Sequence, residues 1–430
     1  MSFQQGLSGL NTASKALDNI GNNVANSGTV GFKSATTEFA DVFAASLAGG
    51  GSAPIGLGAK VAAVAQQFTQ GNITSTSNAL DIAINGGGFY RLQTATGDTV
   101  YSRNGQFQLD KDGYIVNSAG LQLMGYQADV NGTVNPPLTA LRLFDPTSSS
   151  DSAPQATGTS SAGSGVEASL NLDSRLAVPT GGTFNYADAT TYNNSTAVTA
   201  YDSLGNPHIM TLYFAKTAVT NTWDVYATVS NPSGASPTFT DLSGGGATAL
   251  TTLVFNTDGS IASGGSPTQA ITAAQLGYAG GVDAMSFPVS FTGTTQYGSN
   301  FTVNSLTQDG FGSGKLSGFN ISDDGTILGN YTNGQSKTLG QIILANFRNP
   351  QGLQPLGNNV WAATATSGTE LDGAPGSSGQ YGPLQSSALE DSNVDLTAEL
   401  VNMITQQRAY QANAQSIKTQ DSVLQTLVNL

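Results

Sequence analysis

The stretch "DNIGNNVANSGTVGFKS", residues 18–34, decides how the N-terminal part of the chain folds. It continues a hydrophobic pattern that predicts a helix, yet Asn and Gly, which are both unfavourable inside helices, fill it. Apolar residues recur before and within it at alternating steps of four and three, which is the a/d seam of a coiled-coil helix. The apolar residues of this seam are Phe3, Leu7, Leu10, Leu17, Ile20 and Val24, and Ser14 and Gly21 stand in the two remaining seam positions. The sequence therefore predicts a helix that is weakened soon after it begins.

The C-terminal end repeats this alternation over residues 396–430, which contain neither Gly nor Pro. We expect one of residues 391–393 to cap this second helix. Its seam positions are Leu396, Leu400, Met403, Tyr410, Ile417, Leu424 and Val428. The two termini are expected to pair, and Val401 and Ile404 widen the apolar surface beyond what one partner helix would cover. Periodicity alone leaves two alternatives open: a helical hairpin that closes an ordinary domain, and assembly with other copies.

Between the two ends, the hydrophobic period changes to 2 and turn signals recur every ten residues or so, which predicts short strands. The blocks "GFYRLQTATGDTVYSRNGQFQLDKDGYIVN" and "KLSGFNISDDGTILGNYTNGQSKTLGQIILANF" share this texture and are expected to form one sheet-rich domain. A Ser-, Pro- and Gly-rich linker, residues 141–165, precedes an insertion that has hairpins of its own.

The predicted fold class is α+β and mainly β. Discontinuous N- and C-terminal α-helices form a coiled-coil-like layer, followed by a β-rich proximal domain and an inserted β-rich outer domain. The predicted boundaries are 1–30 with 391–430 for the terminal helical assembly domain, 31–70 with 362–390 for a connecting segment, 71–145 with 287–361 for the proximal domain, and 146–286 for the inserted outer domain.

Charge and composition exclude several classes of partner. The 430 residues carry 14 basic and 28 acidic side chains, a net charge of -14, with no basic run, so nucleic acid and anionic membrane surfaces are poor partners. No apolar run approaches the roughly 20 residues that cross a bilayer. The N-terminus lacks the basic and apolar blocks of a cleaved secretory signal. Cysteine is absent, which excludes disulfides and thiolate chemistry.

No group of residues in the sequence supports catalysis. His208 is the only histidine, and no G-x-S-x-G elbow accompanies it. The stretch "FNISDDGTILGNY" has the spacing of a calcium loop, but Tyr331 stands where a bidentate Glu is required, and a hairpin turn explains it better. The stretch "GFGSGKL" lacks the first Gly and the final Ser or Thr of a P-loop. The sequence predicts no enzyme, no cofactor and no metal site.

Long motifs at both ends and in the proximal sheet resemble one known family. The run "LDNIGNNVANSGTVGFKS" and the C-terminal "SNVDLTAELVNMITQQRAYQANAQSIKTQ" resemble the shared terminal motifs of the bacterial flagellar rod and hook axial proteins. The stretches "LDIAINGGGFYRL" and "GQIILANFRNPQGLQPLGNNVWAAT" are similar to the β-domain motifs of that family. The large insertion favours the subunits that build the curved, flexible, torque-transmitting tube between rod and filament. A distal-rod-like axial subunit, an extracellular β-rich adhesin and a β-rich polysaccharide enzyme are the alternatives.

The resemblance also implies partners and a location. The partners would be identical subunits in a helical homopolymer, rod and junction proteins at its ends, a cap during assembly, and the flagellar export apparatus. The chain would be exported unfolded and without a cleaved signal to an extracellular position in the flagellum. A first helix weakened by Gly21, Asn22 and Asn23 would then stay disordered in the monomer until packing between copies completes it. The seam residues of both helices are therefore expected to pack between subunits.

Two further segments are assigned roles through the resemblance. Phe39 and Phe43 of "FADVF" resemble an export signal read by the secretion gate; alternatively, they form one face of a short helical turn that is buried later. The Gly-rich link "SLAGGGSAPIGLG" is expected to let the helix layer and the sheet layer reorient, or else to be a surface loop. Its glycines are Gly49, Gly50, Gly51, Gly56 and Gly58.

Overall fold

The structure is a computed structural model, and it describes most of the chain. The described residues are 2–42, 56–129, 132–144, 152–159, 165–231, 238–242, 248–278 and 281–428. The chain divides into two compact units. The first unit comprises Met1–Thr147, Gly318–Asn330 and Ser336–Leu430, and the second comprises Ser148–Ser317 and Tyr331–Gln335.

The fold class is the predicted one, mainly β with helices at both ends of the chain. The first helix, α1, spans Ser2–Ala25, and the second, α2, spans Leu396–Val428. None of the described helices combines the length and the apolar character that crossing a membrane requires.

The N-terminal cap of α2 differs from the prediction. Asp395 is the capping residue, because its Oδ1 accepts hydrogen bonds from the backbone N–H groups of Thr397 and Ala398 at 2.9 and 3.1 Å. Asn393, one of the three predicted caps, instead accepts a hydrogen bond from the backbone N–H of Ser34 at 2.7 Å. It therefore fastens the entrance of α2 to the segment that follows α1.

The first unit contains a two-stranded hairpin that follows α1, and we call it the neck hairpin. Its strands, Ala35–Val42 and Gly58–Gln66, are antiparallel, with a register shift between Glu38 and Phe39. Two short pairs connect the C-terminal segment to the sheet region, Leu384–Ser386 with Ile82–Ile84 and Ala388–Glu390 with Ile73–Ser75.

A large sheet forms the body of the first unit. Its described strands are Phe89–Gln93, Thr99–Ser102, Phe107–Leu109, Ile115–Asn117, Gln122–Ala128, Val134–Ala140, Leu316–Ile321, Thr326–Tyr331, Ser336–Ile342, Leu344–Asn346, Gln354–Gly357, Val360–Ala362 and Leu371–Gly373. One 3-10 turn, Pro350–Gly352, lies among them. An aromatic cluster that includes Phe89, Tyr101, Phe347 and Trp361 is buried against this sheet. Edge-to-face contacts between these rings hold the sheet together.

The second unit has a separate core between two sheets. The strands of the first sheet are Val166–Asn171, Thr268–Ile271, Met285–Ser290 and Thr302–Gln308. Those of the second are Asn194–Tyr201, Pro207–Lys216, Thr222–Asn231, Thr238–Asp241, Thr251–Phe255 and Ile261–Ser263. Inward-facing residues such as Phe214, Trp223 and Phe287 are fully buried in this core.

The predicted end of the insertion at residue 286 is too early. The strands Met285–Ser290 and Thr302–Gln308 both pair with Val166–Asn171, and the second unit continues to Ser317. The predicted proximal segment 287–361 therefore begins about thirty residues inside the second unit. Alternating strands occur on both sides of residue 286, so hydrophobic periodicity contained no signal that could place this boundary.

Candidate functional site

The two terminal helices pack against each other, as predicted, and their orientation is antiparallel. Near the start of α1, a Cβ atom on Gly6 would lie 3.1 Å from Ile417 Cγ1 of α2. Near its end, the Asn23 side chain donates a hydrogen bond to Glu399 Oε1 at 3.1 Å. The start of α1 therefore lies beside the last third of α2, and the end of α1 lies beside the start of α2.

The predicted seam is only partly buried in this pair, and among the described residues Ile20 is the one predicted seam residue that is buried. The buried residues of α1 are mainly small or polar: Gly6, Thr12, Ala13, Ala16, Ile20 and Asn23. Six of the predicted seam residues are between 37% and 49% exposed: Phe3, Leu7, Leu396, Leu400, Tyr410 and Leu424. Leu10, Leu17, Val24, Met403 and Ile417 are half-buried, and the side chain of Val428 lies outside the described residues. Gly6 and Gly9 let α1 approach Ile417 and Asn413 of α2 closely, and most of the larger apolar seam residues stay partly or largely exposed.

The Asn- and Gly-rich stretch of residues 18–34 has a structural role that its composition did not reveal. α1 continues through Gly21, and Asn19 and Asn23 bind the first strand of the neck hairpin. The Asn19 side chain donates to the Ala35 carbonyl at 2.8 Å and to Thr37 Oγ1 at 3.1 Å. Asn23 donates to the same carbonyl and accepts from the Ala35 N–H, at 2.9 and 3.0 Å. These Asn amides supply the bonds that a neighbouring strand would otherwise make. The available signal was their spacing of four residues, which puts both on one helix face.

Three charged side chains are buried together where the segments flanking the two helices meet; we call them the neck charge cluster, Lys33, Arg103 and Glu390. Lys33 Nζ lies 2.6 Å from Glu390 Oε1, and Arg103 Nε lies 3.3 Å from Glu390 Oε2. The Arg103 guanidinium donates to the carbonyls of Gly88 and Gly86 at 2.6 and 2.8 Å. Each of the three charged side chains is at most 3% exposed.

One carboxylate is thus shared by two buried cations and compensates the charge of only one of them. Burial lowers the pKa of Lys33, the nearby Arg103 charge lowers it further, and Glu390 opposes both effects. Burial likewise lowers the pKa of Arg103, against the attraction of Glu390. Sequence reasoning missed this cluster, because residues 33, 103 and 390 meet only in the folded chain. The weak signal was that charged residues are only 10% of the sequence and that these three interrupt conspicuously apolar, Gly-rich motifs.

The candidate export signal lies partly on the neck hairpin. Phe39 belongs to the strand Ala35–Val42 and is 45% exposed, so the helical-turn alternative was wrong for this residue. Phe43 lies outside the described residues.

The Gly-rich link is likewise only partly described. Gly49, Gly50 and Gly51 lie outside the described residues. The Gly56 carbonyl accepts a hydrogen bond from the Gln5 side chain at 2.6 Å, and Gly58 begins the second strand of the neck hairpin with a φ of 131°. The C-terminal end of the link is therefore attached to α1.

His208 has the environment of a structural residue. It is fully buried, with Nδ1 3.1 Å from the Ser230 carbonyl and Nε2 3.1 Å from Asp202 Oδ2. Burial raises the pKa of Asp202, but hydrogen bonds from Asn206, His208 and the backbone outweigh it, so the pKa lies below its usual range. The supposed calcium loop is the hairpin turn at Gly325, whose φ is 82°. Among the described residues, no three potential His, Cys, Asp or Glu ligands are grouped to hold a metal ion.

Four regions match family models of flagellar axial proteins. Residues 3–33 match the flagella basal body rod protein, 83–143 the flagellar hook protein FlgE/F/G D1 domain, 171–311 the flagellar basal body protein FlaE D2 domain, and 385–430 the flagellar basal body rod FlgEFG protein C-terminal region. Paired terminal helices and nested sheet units thus define a structural protein of the flagellar axis.

Similar proteins narrow the class further. The chain is 46% identical to the flagellar hook protein FlgE of Salmonella typhimurium and 45% identical to that of Escherichia coli K12, over the full length of each. The chain belongs to the flagellar hook protein FlgE family and is a structural subunit of the hook. The crystal structure of Helicobacter pylori flagellar hook protein FlgE2 matches with a TM-score of 0.50 at 12% identity, covering 74% of this chain and 99% of that one, which supports the fold.

Proposed function

We propose that this chain polymerises through its terminal helices into the curved tube of the hook, which transmits torque from rod to filament. The observation that carries this proposal is the exposed apolar surface of the helix pair in a single copy. Besides the six exposed seam residues, Val401, Ile404 and Val423 are each more than half exposed. Fully burying an exposed side chain of this kind contributes about 1.5–3 kcal/mol, and because these side chains are about half exposed, each would gain roughly half of that when a neighbouring copy covers it.

The two units would then have different mechanical roles. Apolar contacts between helices form a stiff inner layer, whereas the second unit meets its neighbours through polar, hydrated contacts that exchange at low cost. The glycines of the link, Gly49, Gly50, Gly51, Gly56 and Gly58, would let the layers reorient. Full-length identity to hook proteins favours the hook over a distal-rod-like subunit.

The remaining partners belong to export and to the ends of the tube. The chain would leave the cell unfolded through the flagellar export apparatus, without a cleaved signal, and fold beneath a cap at the growing tip. Phe39 and Phe43 would be read by the export gate before folding. Rod proteins and junction proteins would meet the first and last copies.

Leu400 provides a direct test of assembly through the helices. Leu400→Glu places a charge on the exposed surface of α2, and we expect purified protein under salting-out conditions to remain monomeric in electron micrographs. The matched control Leu400→Met keeps the apolar character and should form curved tubes. Because Leu400 is 43% exposed, the circular dichroism and thermal unfolding of both monomers should match those of the unchanged chain. Normal tubes from Leu400→Glu would refute the proposal.

A further inference from the structure

Asparagine followed directly by glycine is the dipeptide whose side-chain amide is lost most readily by hydrolysis. The glycine has no Cβ atom, so its backbone nitrogen can approach the Cγ atom of the asparagine side chain. The chain contains four such pairs: Asn85–Gly86, Asn104–Gly105, Asn131–Gly132 and Asn333–Gly334. Asn131 lies outside the described residues, so three pairs can be compared in the structure.

The pair Asn85–Gly86 is open to this reaction. Asn85 is exposed, and its side chain accepts one hydrogen bond, from Gln70 Nε2 at 3.2 Å. Among the described residues, none accepts a hydrogen bond from the backbone N–H of Gly86. The side-chain amide is therefore accessible to solvent, and the Gly86 nitrogen can attack it without first breaking a hydrogen bond to this part of the chain.

Hydrogen bonds hold the pair Asn333–Gly334 at both reacting groups. The backbone N–H of Gly334 donates to the Tyr331 carbonyl at 3.0 Å. Asn333 Nδ2 donates to the Gly312 carbonyl at 2.8 Å. The attacking nitrogen and the leaving amide are thus both engaged, and these bonds must break before a ring can close between them.

Packing holds the pair Asn104–Gly105. Gly105 is buried, its carbonyl accepts a hydrogen bond from the Ile82 N–H at 3.0 Å, and a Cβ atom on Gly105 would overlap the Ile82 carbonyl oxygen. Asn104 Oδ1 accepts a hydrogen bond from the Gln106 N–H at 2.9 Å, which fixes the side chain in a turn. The Gly105 N–H also has no acceptor among the described residues, but ring closure would have to move a buried backbone that packs against Ile82.

We propose that Asn85 is a site of spontaneous deamidation in the folded chain, and that the fold protects Asn104 and Asn333. The Gly86 nitrogen bonds to Asn85 Cγ and gives its proton to hydroxide. The bond from Cγ to Nδ2 breaks, and the Nδ2 nitrogen takes a proton from water and leaves as ammonia. Water then opens the resulting succinimide, at Cγ to give aspartate or at the backbone carbonyl to give isoaspartate. The reaction requires neither an oxidant nor a reductant.

Deamidation of Asn85 acts on the neck charge cluster. The Gly86 carbonyl accepts a hydrogen bond from Arg103 Nη2 at 2.8 Å. Isoaspartate lengthens the main chain directly before Gly86, so it displaces the carbonyl that Arg103 binds. Aspartate adds the same negative charge without lengthening the main chain. The isoaspartate product therefore weakens the anchoring of Arg103, whereas the aspartate product leaves it in place.

The rates of deamidation in the folded chain test this site. The purified chain is incubated at mildly alkaline pH below its unfolding temperature, and peptide mapping by mass spectrometry follows each asparagine. We expect Asn85 to react about tenfold faster than Asn104 or Asn333, which corresponds to about 1.4 kcal/mol of activation free energy. In guanidinium chloride the three should react at similar rates, because glycine follows each of them. The Asn85 rate should rise with pH, because hydroxide removes the Gly86 proton.

Asn85→Gln is the matched control. A glutamine side chain would have to close a larger ring, which forms slowly, so this variant should keep its amide at position 85 throughout the incubation. Equal rates at Asn85, Asn104 and Asn333 in the folded chain would overturn the proposal, and so would an Asn85 that reacts only after unfolding.

Asn85→Asp separates the new charge from the longer main chain. Hydrogen exchange of peptides that contain Arg103 should match the unchanged chain in this variant. The same peptides should exchange faster in the isoaspartate-containing fraction of the incubated chain, which chromatography isolates. Unchanged exchange in that fraction would disprove the effect on the neck charge cluster. These measurements need no polymer, so their outcome is independent of the proposed assembly through the helices.

Discussion

At the residue scale, the neck charge cluster brings three buried charges together in the first unit. Glu390 is the last residue of the strand Ala388–Glu390, Lys33 lies between α1 and the neck hairpin, and Arg103 follows the strand Thr99–Ser102. Glu390 also accepts a hydrogen bond from the backbone N–H of Gly71 at 2.9 Å. A pair of buried opposite charges is weak evidence of stability, but removing one partner leaves an uncompensated charge in the interior. The charges are compensated only when the segment before α2, which carries Glu390, meets the segment after α1, which carries Lys33. Folding of the first unit therefore requires both segments to be in place.

Glu390→Gln should therefore destabilise the first unit strongly. The substitution keeps the side-chain shape and leaves the Lys33 and Arg103 cations buried without a counter-charge, so we expect a loss of about 3–5 kcal/mol in the free energy of unfolding. Urea denaturation, monitored by hydrogen exchange of peptides from the first unit, measures this loss in the free energy of unfolding.

Two further variants control for other effects of that substitution. Asp112→Asn, which neutralises the partner of Lys111 in a solvent-exposed ion pair, should produce no measurable change. Adding Lys33→Met to Glu390→Gln removes one of the two stranded cations and should recover part of the stability. An unchanged denaturation midpoint for Glu390→Gln would contradict this account of the neck charge cluster.

At the element scale, periodicity predicted both helices and their pairing but not the faces that meet. Seam patterns count large apolar residues, whereas Gly6 and Gly9 of α1 lie close to Ile417 and Asn413 of α2, and their lack of a side chain lets the two backbones approach. The Asn residues of the opening stretch were interpreted as helix-weakening because propensity scales describe isolated helices. Helix propensity does not include the hydrogen bonds of Asn19 and Asn23, because these bonds are made to a strand that lies later in the sequence.

Gly21 in α1 and Gly58 in the neck hairpin should respond in opposite ways to alanine. A Cβ atom on Gly21 would meet no atom within 4 Å, so Gly21→Ala should stabilise α1 by about 0.5–1 kcal/mol. Gly58 has a φ of 131°, and a Cβ atom there would overlap the Ser8 hydroxyl, so Gly58→Ala should loosen the neck hairpin from α1. Hydrogen exchange of α1 peptides measures both effects, with slower exchange expected for Gly21→Ala and faster exchange for Gly58→Ala. The same direction of change in both variants would mean that α1 is not stabilised by the neck hairpin.

At the scale of the whole molecule, the sequence predicted that one sheet-rich unit is inserted into another, but it did not predict where the insertion ends. The linker before the insertion is rich in Ser, Pro and Gly, whereas the return to the first unit, at Ser317, falls inside the strand Leu316–Ile321. Strand pairing decides which unit such a segment joins. Pairing partners such as Val166 and Gln308 are too far apart in sequence for local patterns to reveal.

Because each unit has its own core, the second unit should be removable. The main core of the second unit is built entirely from residues between 166 and 306, and the aromatic cluster of Phe89, Phe347 and Trp361 belongs to the first unit alone. Replacing residues 148–317 with a short Gly-Ser linker should leave the first unit folded, with hydrogen-exchange protection like that of the full chain. If the helices carry assembly and the second unit sets the curvature, the shortened chain should still form tubes under salting-out conditions, and electron microscopy should show them straighter than tubes of the full chain. The full chain with the same linker inserted after Thr147 controls for the linker and should give curved tubes. Shortened chains that fold but remain monomeric would place the main assembly contacts in the second unit.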